Sequence, residues 1–127
     1  MKYEGKMVLT TLTITNARTA VKTKLTTDFT TVAFGSGTTT EAESDTSLQT
    51  ETLQQAIQEQ TTLADRVIFS GFAGAGQLNG TTINETGFKD ALSGNLLQRK
   101  VLNTGFTKTI TKEFWTDLVI IPIITQE

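Results

Sequence analysis

The chain has 127 residues, 37% of them apolar and 19% charged, with a formal net charge of −2. Both shares lie below the roughly 45–50% and 25% of ordinary globular domains. Threonine fills 27 positions, proline one, and cysteine and histidine none. These values exclude disulfides, Cys/His metal centres, thiol nucleophiles and imidazole bases, and they lack the basic footprint of a nucleic-acid binder.

The first sixteen residues lack the apolar core of a signal peptide. The longest apolar run, residues 118–124, is far short of the roughly 20 that cross a bilayer. A soluble chain made in a cytoplasm is expected. From Met7 to Thr15, Leu12 and Ile14 alternate with threonines, which predicts a half-buried strand, because β-branched threonine suits a pleated surface. Asn16 is a good N-cap, and Ala17, Ala20, Val21 and Leu25 follow at helical spacing, predicting a helix from Ala17 to about Thr26.

Residues 29–34 predict a second strand ending at Gly35-Ser36-Gly37, where glycine tolerates positive φ. Thr38 to Thr46, with Glu41, Glu43 and Asp45, reads as a solvated, mobile loop. Leu48 to Ala64 is ambiguous: glutamine propensity favours a helix at first, yet Leu53 and Ile57 also share a strand face. Residues 66–72 form a firmer strand, and 73–80 a turn or a flat, weakly specified edge. A short strand at 81–84, a bend at 85–88, a strand from Asn95 to Leu102 and a short one at 107–110 follow. The last strand, Glu113 to Ile124, places Phe114, Leu118, Ile120 and Ile124 on one face and Trp115, Val119, Ile121 and Ile123 on the other. With both faces apolar, both should be covered, by the short helix or by a neighbouring subunit.

The candidate sites have plain structural readings. The acidic loop lacks a calcium-loop pattern, and the glycines at 74, 76 and 80 miss the dinucleotide spacing by one. Lys22, Lys24, Arg99, Lys100, Lys108 and Lys112 read as solvated faces without interleaved stacking aromatics. A carboxylate pair for glycoside hydrolysis has no signature, and Glu85 and Asp90 would be arbitrary choices. No catalytic residue, cofactor or metal ligand is assigned.

The order of several short motifs resembles a family of small structural proteins of tailed viruses, found among phage and prophage genes. The matching stretches are Ile14-Thr15-Asn16-Ala17, Gly35-Ser36-Gly37-Thr38-Thr39, Asp45-Thr46-Ser47-Leu48, Asn84-Glu85-Thr86-Gly87-Phe88 and Leu96-Leu97-Gln98-Arg99. The chain departs from the family in its glutamine-rich segment and in its apolar C-terminal strand. The resemblance implies a helix or turn near 45–52, then a strand from about Leu53. It also implies a non-enzymatic virion component (capsid decoration, or a tail, collar or fibre part) that is made in the host cytoplasm.

Together these observations predict one domain, residues 1–127: a mainly β, antiparallel sandwich of jelly-roll or Ig-like kind with one short N-terminal helix. The expected partners are copies of itself and other virion proteins, with no nucleic acid and no membrane. Trp115, Val119, Ile121 and Ile123 are the first interface candidates. Gly35, Gly37, Glu41 and Asp45, on a loop reaching towards a neighbour, are the second. The alternative is a carbohydrate- or receptor-binding module, for which Tyr3 and Trp115, the only Tyr and Trp, make a thin stacking platform.

Overall fold

A threonine cap sets the first element. In a computed structural model that describes residues 10–124, the Oγ1 of Thr10 accepts the Thr13 N–H at 3.2 Å and starts helix α1, Thr11–Asp28. The strand expected up to Thr15 is therefore helical from Thr11 onwards; Met7 to Leu9 lie outside the described residues. Alternation misleads here because Leu12 and Ile14 share no buried face: Leu12 is exposed and only Ile14 is half-buried. Asn16 lies inside the helix instead of capping it. Lys22 and Leu25, in its second half, attach the helix to the body. The Lys22 ammonium donates to the Leu63 and Ala64 carbonyls at 2.7 and 2.8 Å, and Leu25 packs on the core.

Seven strands follow, forming two antiparallel sheets: β1 Phe29–Gly35, β2 Glu51–Ala56, β3 Glu59–Thr62, β4 Val67–Ala73, β5 Thr82–Asp90, β6 Leu96–Thr107 and β7 Phe114–Ile120. The four-stranded sheet runs β2-β1-β5-β6, and the three-stranded sheet runs β3-β4-β7. They pack face to face. Val32 and Phe34 of β1 and Ile83 and Phe88 of β5 meet Val67, Phe69 and Ala73 of β4 in one buried cluster. Aromatic pairs cross the gap, Phe69 with Phe88 and Phe34 with Phe114, both with ring centres 5.9 Å apart. This is the predicted antiparallel sandwich with a single helix, although the helix is longer than expected. Gly71 lets the sheets approach: a Cβ there would lie 2.6–2.8 Å from the Val32 side chain.

β2 and β3 are one extended run that changes sheets. The Ile57 N–H still bonds Thr30 on β1, while the next N–H, of Gln58, bonds Ser70 on β4, both at 2.9 Å. Helix propensity fails in this stretch because the glutamine amides serve neighbouring backbone. Gln60 Nε2 donates to Thr26 and Phe29 carbonyls at the end of α1, and Gln55 Nε2 donates to the Phe72 carbonyl. The strand expected from about Leu53 begins at Glu51. The bend expected at 85–88 is the middle of β5, paired on both sides. β6 runs on to Thr107, so no separate strand occupies 107–110, and β7 ends at Ile120. No helix among the described residues is long and apolar enough to cross a membrane.

Candidate functional site: an apolar sheet edge and a clasped loop

Alternation along β7 sorts its side chains. Phe114, Leu118 and Ile120 turn inward, half-buried against the core. Trp115, Val119, Ile121 and Ile123 turn outward and are 51, 48, 46 and 72% exposed. Neither the helix nor any other described element covers that face, so of the two expected covers the short helix does not supply it. On β4, Phe72 pairs with Trp115 and Ile68 with Val119 across the ladder. The Phe72 and Trp115 rings stack with centres 4.6 Å apart and planes at 14°, and the indole N–H donates to Glu113 at 3.0 Å. The stack fixes one side of the indole and leaves the aromatic surface presented outward, a preorganised anchor of the sort that dominates association energy. Between the two apolar rows lies a polar one, Asp117 opposite Ser70 and Ser70 opposite Glu59.

The second group of candidates is differently placed. Gly35 and Gly37 are buried, and their φ angles are not positive. They are glycines because β2 and the Glu85 carboxylate occupy the space a side chain would need: a Cβ at Gly35 would stand 2.3 Å from the Thr50 carbonyl oxygen and 2.5 Å from Glu85 Oε1, and one at Gly37 2.4 Å from Gln49 Cβ and 2.6 Å from Glu85 Oε1. Glu85 itself is fully buried. Its Oε1 accepts the N–H groups of Thr50 (2.7 Å) and Gly37 (3.1 Å); its Oε2 accepts the Gln49 N–H (3.0 Å) and Arg99 Nε (2.7 Å). Arg99 extends the chain of contacts, with Nη1 to Asp45 at 3.0 Å and Nη2 to the Thr39 carbonyl at 2.9 Å. Gln49 Oε1 accepts the N–H groups of Thr38 and Thr39. Glu41 accepts the Val101 N–H and lies 3.8 Å from Lys100.

The loop expected to be mobile and to reach a neighbour is thus folded back onto its own β6. Gly35, Gly37, Glu41 and Asp45 do not form a projecting arm. Burial pushes the Glu85 carboxyl up, but the Thr50 N–H, the Arg99 guanidinium and the Gln49 and Gly37 N–H groups outweigh it and hold the group below its ordinary value of 4.5. The Ala42 N–H and Arg99 likewise lower Asp45. With the carboxylate oxygens of Glu85 each holding two donors, the network is suited to holding a loop. A cleft of about 380 Å³ between the loop and β6 is lined by Glu41, Glu43, Asp45, Leu96 and Arg99. Among the described residues, no group of three or more acids is placed to hold a metal ion.

Three of the cations expected on solvated faces are buried: Lys22, Arg99 and Lys108. Lys108 is wholly enclosed, and its ammonium donates to Ala75 O, Asn79 Oδ1 and Thr109 O at 3.1–3.2 Å. It ties the turn after β4 to the end of β6, with three acceptors for its three donors. Sequence reading missed Glu85, Arg99 and Lys108 as structural centres. One usable signal was an acid within a run of small and apolar strand residues, Ile83 to Phe88, with two glycines at 35 and 37 to make room for it.

No family model matches this chain, and no curated protein or solved structure matches it.

Proposed function

We propose that the chain is a non-enzymatic structural component of a tailed-virus particle that works by binding copies of itself and neighbouring particle proteins. The observation that carries the binding part is the outward row of Trp115, Val119, Ile121 and Ile123 at a sheet edge. Apolar side chains presented together along an edge strand gain by being covered, by about 25 cal/mol per Å² of apolar surface removed from water. Repetition in a symmetric assembly multiplies such weak contacts. The viral part rests on the shared order of the five motifs from Ile14 to Arg99.

Mass spectrometry of intact particles from the producing cells tests the reading. The expected result is peptides of this chain in the particle fraction at a multiple-copy ratio to the major shell protein; finding them only in the particle-free supernatant overturns it. The Trp115–Phe72 stack also favours a second reading, a glycan-binding module, since an exposed indole offers a face to a sugar ring. Saturable glycan binding by the monomer, abolished by Trp115→Ala, would move the assignment there.

A further inference from the structure

The outer face of the β3-β4-β7 sheet is banded. Two apolar rows, Ile68 with Val119 and Phe72 with Trp115, flank the row of Glu59, Ser70 and Asp117. Glu59 and Asp117 are exposed, and among the described residues no lysine or arginine pairs with either. The banding decides how a second copy can meet this face. In a two-fold contact centred on the middle row, carboxylates face carboxylates. Shifted by one row, each carboxylate is pressed against apolar side chains. Both arrangements bury charge without a countercharge, which is strongly unfavourable. The face is therefore not complementary to itself, and a cation beside an apolar side chain, from another part of the molecule, suits it better.

The chain carries such a pair on the turn between β6 and β7. Lys112 N–H donates to the Thr109 carbonyl at 3.0 Å and closes the turn. Its base is held firmly: Gly80 N–H donates to the Lys108 carbonyl at 2.9 Å, Lys108 N–H to the Thr81 carbonyl at 3.0 Å, and the buried Lys108 ammonium to the Thr109 carbonyl at 3.1 Å. Ile110, on this fixed turn, is 70% exposed. Lys112 is exposed as well, and its ammonium lies 5.8 Å from the centre of the Phe106 ring. It stands apart from the other described cations. Lys22, Arg99 and Lys108 are buried and Arg18 is half-buried. Lys24, Arg66, Lys89 and Lys100 each have a carboxylate at 2.8–3.8 Å. Lys112 has none among the described residues.

We infer that the Ile110–Lys112 turn of one copy seats on the outer face of the β3-β4-β7 sheet of a second copy. Lys112 meets the middle row, and Ile110 meets a flanking apolar row. An ammonium has three donors, and the middle row offers two carboxylates with a hydroxyl between them. Neighbouring rows lie about 6.6–6.8 Å apart, two residues of strand, a step that the flexible four-carbon stem of lysine spans. A fixed turn meeting a sheet face loses little freedom on binding. Each molecule presents one turn and one face, so the contact is head-to-tail and closes into a ring or runs on as a filament. This rests on the assembly reading above and supplies its contact.

Charge reversal tests the pairing, with mass read by sedimentation velocity. Trp115 is the one tryptophan and lies on the receiving face, so its fluorescence reports the same contact. In the wild type its emission should move to shorter wavelength as the mass rises with concentration. Lys112→Glu and Asp117→Lys, both at exposed positions, are each expected to weaken association about tenfold. An equimolar mixture of the two, and the chain carrying both substitutions, should recover most of it, because every turn then finds a face of opposite sign. Far-UV circular dichroism checks that each variant is folded. Loss in both variants without recovery in the mixture overturns the pairing. Lys112→Glu weakening association that Asp117→Lys leaves intact overturns the face and moves the turn to another acid, such as the exposed Glu43. Association untouched by either substitution, while the wild type gains mass, overturns the contact and leaves the assembly reading standing; a constant single-chain mass overturns both.

Discussion

Replacing Glu85 by glutamine keeps the side-chain shape and removes one charge, and the geometry lets the cost be worked out. In the native site two N–H groups, of Thr50 and Gly37, point at Oε1, and two more donors, Gln49 N–H and Arg99 Nε, point at Oε2. A glutamine oxygen can serve one pair, but its NH₂ then faces two donors. The Arg99 side chain, 3% exposed, also keeps its charge while losing its buried partner. Breaking a buried pair in this way costs about 3–5 kcal/mol, against a total stability of about 5–15 kcal/mol for a domain. Urea unfolding followed by far-UV circular dichroism should show that loss. Native-state hydrogen exchange should show faster exchange first at the amides of Gly37, Gln49 and Thr50. The paired variant Glu85→Gln/Arg99→Met removes the orphaned cation while keeping an acceptor for the backbone N–H groups, and is expected to recover part of the loss. A Glu85→Gln protein within about 0.5 kcal/mol of wild type, or a double variant less stable than the single, would refute the reasoning.

Three further outcomes follow from the same structure. Glu85 titrates below its ordinary 4.5, so the stability it contributes is fully present above pH 4.5 and is lost as the pH falls through its lower folded value; unfolding free energy measured from pH 6 down to pH 2 should decline in that acid range, and less steeply in Glu85→Gln. Gly71→Ala pushes a methyl into Val32 and should cost about 1–3 kcal/mol, with Val32→Ala in the same chain returning part of it, as a double-mutant thermal melt would read. Lys108→Met leaves the Ala75 and Thr109 carbonyls and Asn79 Oδ1 without their donor; a loss of about 1–3 kcal/mol with faster amide exchange across residues 74–80 is expected in calorimetry and exchange measurements.

The parts of this fold legible in sequence are those governed by local pattern. β4 was readable because Val67, Phe69 and Gly71 alternate cleanly with Ile68, Ser70 and Phe72, and the buried positions alternate in the same phase. The division of β7 into two faces followed for the same reason, whereas β1 followed from its aromatic and β-branched composition and is buried on both faces from Thr31 to Gly35. What was not legible depends on distant partners. The glutamines at 55 and 60 sit in strands because their amides meet carbonyls on other elements. The Thr10 cap, which decides that Leu12 and Ile14 are helical, is a weak local signal beside an apparent alternation. Of the candidate site, Trp115, Val119, Ile121 and Ile123 were visible as one face of a two-faced apolar strand. The inward role of Gly35 and Gly37 was not, since their space is filled by distant residues: Thr50, Gln49 and the carboxylate of Glu85, 48 positions beyond Gly37.

Sedimentation velocity of the wild type and of a Trp115→Ser/Val119→Ser variant, across a wide concentration range, tests most directly whether the bare face of β7 is an assembly surface. Both side chains are half-exposed, so the variant should still fold, at a cost of about 0.5–1.5 kcal/mol for the lost Phe72–Trp115 stack. The wild type should rise above its single-chain mass of 13.8 kDa with concentration while the variant stays there. Equal association of the two proteins, or a wild type fixed at one chain throughout, would contradict the account.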